Sequence, residues 1–215
     1  KGYSWWYSIL AGITESYNIQ PNLDLYSETL LRASLAINLL YPSFYLQDKN
    51  GTREIKPTWQ QDLFQYKPEL VQAVYLEMIE VQMQTKKEFI QGIREICENT
   101  ALKNNRAEIV LQLLKNYPNT TPQELRTLLL TAIIFPEKRG GLILLTNSAL
   151  NPCTRVRRNR RELWLSVGFI IAYDDFKERV EQCALKHGSV IWELISIVDS
   201  VRLDDDKMQP LELST

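Results

Sequence analysis

Seven cations fall between Lys138 and Arg161 with no carboxylate among them: Lys138, Arg139, Arg155, Arg157, Arg158, Arg160 and Arg161. Guanidinium groups at this density do one kind of chemistry. Each presents a planar fork of N–H donors that matches a carboxylate or a phosphate, so together they hold anions. The chain has 25 Lys and Arg against 26 Asp and Glu. Removing these seven leaves 18 cations against the same 26 carboxylates, a balance of −8 outside the window. The arginines also stand at the start of an apolar helix, where the helix dipole disfavours nearby cations by about 0.3–1 kcal/mol each. Something must compensate. Carboxylates of neighbouring helices are one candidate, with Glu162 serving only in part, and an acidic protein partner is another. A phosphate or nucleic-acid backbone is the third. The pI near 6.0 weighs against nucleic acid, whose binders show wider basic surfaces.

No other constellation carries chemistry. His187 is the single histidine, placed before Gly188 at a helix end, and no Gly-x-Ser-x-Gly elbow accompanies it. Cys97, Cys153 and Cys183 form no CxxC pair and give no metal-ligand spacing with one histidine. Asp204-Asp205-Asp206 lacks the pattern of a calcium loop and reads as solvated. Glu77 and Glu80 share a helix face with the spacing of solvent-facing carboxylates. Lys138-Arg139-Gly140-Gly141 is not a phosphate loop, and no GxGxxG occurs. No catalytic residue, metal ligand or cofactor is expected, and the chain reads as non-enzymatic. An unrecognised enzyme would need a polar cluster gathered in a pocket.

The elements that must position the arginines are helices. Period-3.6 patterning is nearly continuous, and only 8 glycines and 9 prolines are available for turns. Asp24 to Leu40 sets Leu30, Leu31, Leu35, Ile37 and Leu39 on one face, and Tyr41 to Lys56 reads as a loop. Thr58 to Gln61 fits a capping box. Pro68 at the first helical position opens a helix to about Thr85. Helices over Phe89–Asn99 and Ala107–Tyr117 follow. Thr121-Pro122-Gln123-Glu124 starts one that reaches Phe135. Leu142 to Leu145 fits helix better than strand. Asn159 to Glu162 is a second capping box, opening a helix to about Tyr173. That helix is apolar all round from Leu163 to Ile171 and so must be central. Asp175 with Glu178, and then Ser189, cap the last two helices. Trp164 and Trp192 lie inside apolar helices and are expected in the core. Adjacent Trp5 and Trp6 cannot both face inward.

The architecture expected is all-α: about nine to eleven helices stacked as antiparallel pairs in an α-solenoid-like array over residues 1–200, with 201–215 an acidic, flexible tail. The odd cysteine count points to a reducing, cytoplasmic compartment. No apolar run reaches the roughly 18 residues of a membrane span. A start on Lys1-Gly2-Tyr3-Ser4-Trp5-Trp6, already hydrophobic, reads as a fragment of a longer protein.

Two stretches carry a resemblance. Trp59-Gln60-Gln61-Asp62-Leu63-Phe64 followed by Lys67-Pro68-Glu69-Leu70-Val71 resembles a helix junction in the C-terminal α-helical regions of bacterial NACHT/STAND-type NTPases. Arg160-Arg161-Glu162-Leu163-Trp164-Leu165-Ser166-Val167-Gly168-Phe169 is similar to a helix further along the same regions. The two cover about twenty-five residues, mostly core positions. The resemblance implies a helical repeat array downstream of a nucleotide-binding module, in a multidomain protein of signalling or defence type. None of that family's phosphate-binding motifs is in this chain. The expected role is an interaction or sensor segment. Its partner would be a protein, an anionic ligand or the rest of the parent chain, bound through Lys138, Arg139, Arg155, Arg157, Arg158, Arg160 and Arg161. Nucleic acid is the alternative partner for the same arginines.

Overall fold

The computed structural model describes residues 4–40, 44–48, 51–55, 57–85, 90–99 and 102–203. The fold is all-α and packs in helix pairs. Eleven α-helices are present among the described residues: α1 (Ser4–Ile19), α2 (Glu28–Leu40), α3 (Thr58–Tyr66), α4 (Pro68–Gln84), α5 (Ile93–Glu98), α6 (Lys103–Asn116), α7 (Pro122–Ile133), α8 (Arg139–Leu150), α9 (Arg158–Ile171), α10 (Tyr173–Lys186) and α11 (Ser189–Leu203). Contacts gather into two compact units, Lys1–Arg106 and Ala107–Thr215, where periodicity alone suggests one array over 1–200. The acidic triplet Asp204-Asp205-Asp206 and the rest of the tail lie outside the described residues.

In the first unit α1 packs on α2 and α3, and α4 on α2 and α3. The α1–α3 seam is closed by two polar ties across buried aromatics. Trp59, fully buried, donates from Nε1 to Thr14 Oγ1 at 3.1 Å. Tyr17, 4% exposed, donates to the Asp62 carboxylate. Pro68 opens α4 as expected, and Val71, Val74, Tyr75, Ile79 and Met83 form its buried face. Ile90, Ile93 and Ile96 are buried, but α5 starts only at Ile93, because Gly92 turns the chain with φ of +93°. Leu30 does not join the apolar face of α2; it is exposed.

Two expectations fail in this unit. The segment expected as a loop contains an antiparallel hairpin, β1 (Phe44–Asp48) and β2 (Gly51–Ile55), with Phe44 opposite Ile55 and Asp48 opposite Gly51. The dipeptide Asn50-Gly51 is a hairpin signal in the sequence, although the register places Gly51 in the ladder opposite Asp48. The capping box at Thr58 is also absent. Thr58 is already helical, Pro57 occupies the cap, and the Thr58 hydroxyl donates to Asn18 at 3.3 Å.

In the second unit α9 is the axis. It packs against α7, α8, α10 and α11, and Leu163, Trp164, Leu165, Ser166, Val167, Gly168 and Ile171 are buried on all its sides. Its close approach to α10 depends on Gly168, where an added Cβ would fall 2.8 Å from the ring of fully buried Phe176. Thr121 caps α7 as its sequence requires, accepting from the Glu124 amide at 3.3 Å. Trp164 is fully buried, as expected. Trp192 is not: it stands 73% exposed on α11, because Val190 and Ile197 on the opposite face make the core contact.

Two outcomes test this account. Gly168→Ala is expected to lower unfolding free energy by about 1–3 kcal/mol through overpacking against Phe176, read by denaturant titration, with Phe176→Leu in the same chain restoring part of the loss. Burial and then the Asp62 hydrogen bond push the Tyr17 phenol from its ordinary 10.0 up to about 12. The folded state therefore holds this proton where the unfolded chain releases it. Its contribution is intact below pH 10 and lost as pH rises toward 12. Denaturant midpoints measured across that window are expected to fall, and less steeply in Tyr17→Phe.

Candidate anion-binding site

The seven-cation window does not stay together in space. Lys138 and Arg139 start α8, while the other five arginines follow its C-terminus, so the helix separates them by about 18 Å. Lys138 is occupied by an ion pair with Glu108, which raises its pKa. The side chain of Arg139 has no hydrogen bond or ion pair among the described residues.

The other five arginines gather where the N-termini of α7, α9 and α11 meet. Three are engaged there. Arg158 Nε lies 3.0 Å from Glu162 Oε1, and its Nη2 donates to Ser189 Oγ at 3.4 Å. Arg160 Nε donates to the Thr120 carbonyl at 2.9 Å, just before α7. Arg161 Nη2 donates to the Leu150 carbonyl at 3.1 Å, on the last residue of α8. That last contact places a cation at the negative end of a helix, which offsets part of the cost of crowding cations at α9. Carbonyls carry no net charge, however, so two of these three arginines are hydrogen-bonded without being neutralised. Burial, followed by the nearby charge of Arg157, lowers the Arg160 pKa.

Glu162 departs from the capping role expected of it. The N-cap of α9 is Arg157, without a side-chain cap bond, and Asn159 lies within the helix. The Glu162 carboxylate is buried and turns sideways to accept from Arg158 and, at 2.9 Å, from the Ser189 hydroxyl. It thus ties the start of α9 to the start of α11. The expected Ser189 cap is spent on the same contact. Burial, then Glu162, raises the Cys183 thiol pKa, against the opposing effect of Arg158, Arg161 and Lys186.

Arg155 and Arg157 are left. Val156 between them is buried and both arginines are exposed, so their stems leave on the solvent side with Cα atoms at most about 7 Å apart. Their backbone is held by a residue that sequence reasoning missed. Asn119, in the turn before α7, donates through Nδ2 to the Arg155 carbonyl at 3.2 Å. Its Oδ1 accepts from the Arg157 amide, also at 3.2 Å. One amide side chain thereby replaces a strand partner. Pro118 adds a third anchor from the same turn, its carbonyl accepting from Trp164 Nε1 at 3.0 Å. Neither arginine side chain has a hydrogen bond or ion pair among the described residues. The only local signal for Asn119 is its place after Pro118 and before Thr120, a composition that favours turns.

Elsewhere the structure offers less. The first unit holds a surface groove of about 570 Å³ lined by residues that include Tyr26, Arg32, Tyr66, Lys67 and Glu69. Its cations are taken: Arg32 pairs with Glu77 at 2.9 Å, and Lys67 with Asp24 at 2.9 Å. Among the described residues no group of three His, Cys, Asp or Glu is placed to hold a metal ion. No helix among them is long and apolar enough to cross a membrane.

Asn119→Ala leaves the Arg155 carbonyl and Arg157 amide without their partner. It is expected to lower unfolding free energy by about 1–3 kcal/mol and to raise amide hydrogen exchange at 155–157 while leaving α9 beyond Leu163 protected. Exchange measured by mass spectrometry checks both parts. Compared with family models, curated proteins and solved structures, the chain matches none.

Proposed function

We propose that this chain is a non-enzymatic interaction or sensor segment of a larger multidomain protein, and that it takes an anionic partner on Arg155 and Arg157. The observation that carries this reading is the free, exposed pair of guanidinium groups on a backbone pinned by Asn119. A cation pair on a fixed backbone loses less conformational entropy on binding than one on a mobile loop. Arg158, Arg160 and Arg161 reinforce the site by their field, since Glu162 is the single carboxylate paired with any of them among the described residues. Their own donors are engaged in holding α7, α8, α9 and α11 together.

The resemblance to the helical regions of NACHT/STAND-type NTPases supplies the setting proposed here: a cytoplasmic protein of signalling or defence type whose nucleotide site lies in another part of it. The balance of −8 outside the 138–161 window favours a short anionic segment over a long polyanion, because the rest of the surface repels the polyanion.

The test is fluorescence anisotropy with labelled oligoglutamate and with labelled single- and double-stranded oligonucleotides, at low and roughly physiological salt. Oligoglutamate is expected to bind, and Arg155→Gln with Arg157→Gln is expected to weaken it about tenfold or more with an unchanged circular dichroism spectrum. An affinity for oligonucleotides that falls steeply with salt, in the absence of peptide binding, moves the assignment to nucleic acid. No binding of any anion at low salt removes it altogether.

A further inference from the structure

The exposed tryptophan beside the basic pole has no role in the reading above. On α11, Trp192 is 73% exposed, with Ile191 and Ile195 exposed beside it at 42% and 46%. These positions, at i, i+1 and i+4, form one apolar strip on the side of the helix away from Val190 and Ile197, its core contacts. The strip begins one turn from Arg158, the arginine of the pole that reaches α11. Arg158 reaches Ser189, the first residue of α11, and Trp192 lies three residues on, a rise of about 4.5 Å. The next exposed residue along the same face is Asp199. From the N-terminus of α11 the surface therefore reads cationic, then apolar, then acidic.

That order defines a complement. A partner must present carboxylates toward Arg155 and Arg157 and large apolar side chains toward Trp192, Ile191 and Ile195. It must also keep its acidic end away from Asp199, which fixes its direction along α11. A nucleic-acid strand has bases to stack on Trp192 but no aliphatic groups to cover the two isoleucines. Trp and Arg are the residues that dominate binding energy when they lie together in an interface. We infer that the partner is an acidic–apolar protein segment, an amphipathic helix in its simplest form, that seats its apolar face on the α11 strip and its carboxylates on the arginine pole. This inference rests on the anion-binding reading of Arg155 and Arg157 and extends it by naming the partner's chemistry.

The experiment uses the full chain and two labelled peptides of equal length and charge. One carries glutamates together with Leu and Phe at i, i+3, i+4 spacing; the other replaces Leu and Phe by Ser. A single-stranded oligonucleotide is the third probe. The apolar-containing peptide is expected to bind about tenfold more tightly than its serine counterpart. Trp192→Gln with Ile195→Gln is expected to erase that difference while leaving the serine peptide's affinity unchanged. Both positions are exposed, so the fold tolerates the change. A blue shift of tryptophan emission on binding, absent in Trp192→Phe, is a second readout of the same contact. Equal affinities for the two peptides overturn the inference and leave the anion site standing. Preference for the oligonucleotide over both peptides overturns it in favour of nucleic acid. Indifference of every probe to Arg155→Gln with Arg157→Gln removes the anion site itself, and the inference with it.

Discussion

A helix with no polar face over about two and a half turns must be enclosed, and α9 from Leu163 to Ile171 is such a helix. Four neighbours, α7, α8, α10 and α11, supply the enclosure, and much of the second unit follows from that requirement. The hydrophobic effect is non-directional, so it demands that α9 be covered without saying by what. Direction comes from a few polar ties. Trp164 Nε1 on the Pro118 carbonyl sets α7, and Glu162 on Ser189 sets α11. Gly168 sets how closely α10 can lie.

Enclosing α9 has an electrostatic consequence. Its charged first turn cannot be buried with the rest, so the arginines emerge where the N-termini of α7, α9 and α11 meet. The C-termini of α8 and α10 come to the same end. The α8 terminus is used at once: Arg161 and Thr154 take up the Leu150 and Ser148 carbonyls. Three arginines thus hold the fold together mainly by donating to neutral oxygen atoms, which leaves most of their charge in place. Arg155 and Arg157 then sit in a field that the fold itself maintains. Structure and binding are divided between neighbouring residues of one short segment.

The same unit shows how a buried carboxylate acts as a positioning device. Removal of Glu162 from water is costly unless its oxygens are fully partnered. Arg158 and Ser189 both donate to its Oε1, one from its own helix and one from α11. A capping box would have satisfied the carboxylate locally, with no link to α11. In the first unit the parallel role falls to Tyr17 with Asp62 and Trp59 with Thr14, where buried aromatic rings reach a polar group across the α1–α3 seam.

Helix content, the centrality of α9, the Thr121 cap and the proline start of α4 were all legible in the sequence, because each rests on interactions within a few residues or on the period of the apolar positions. The density of arginine before α9 was legible for the same reason. Which arginines are free was not, since that depends on carbonyls at Thr120 and Leu150 that lie 40 and 11 residues away. Asn119 is invisible as a site residue until the fold sets the turn before α7 against residues 155–157. Trp192 shows the same limit from the other side. An apolar sequence around a tryptophan specifies that the helix has a core contact, and tertiary packing decides which face makes it. Local sequence fixes what each element needs; only the arrangement of distant elements decides which needs are met and which side chains are left over for a partner.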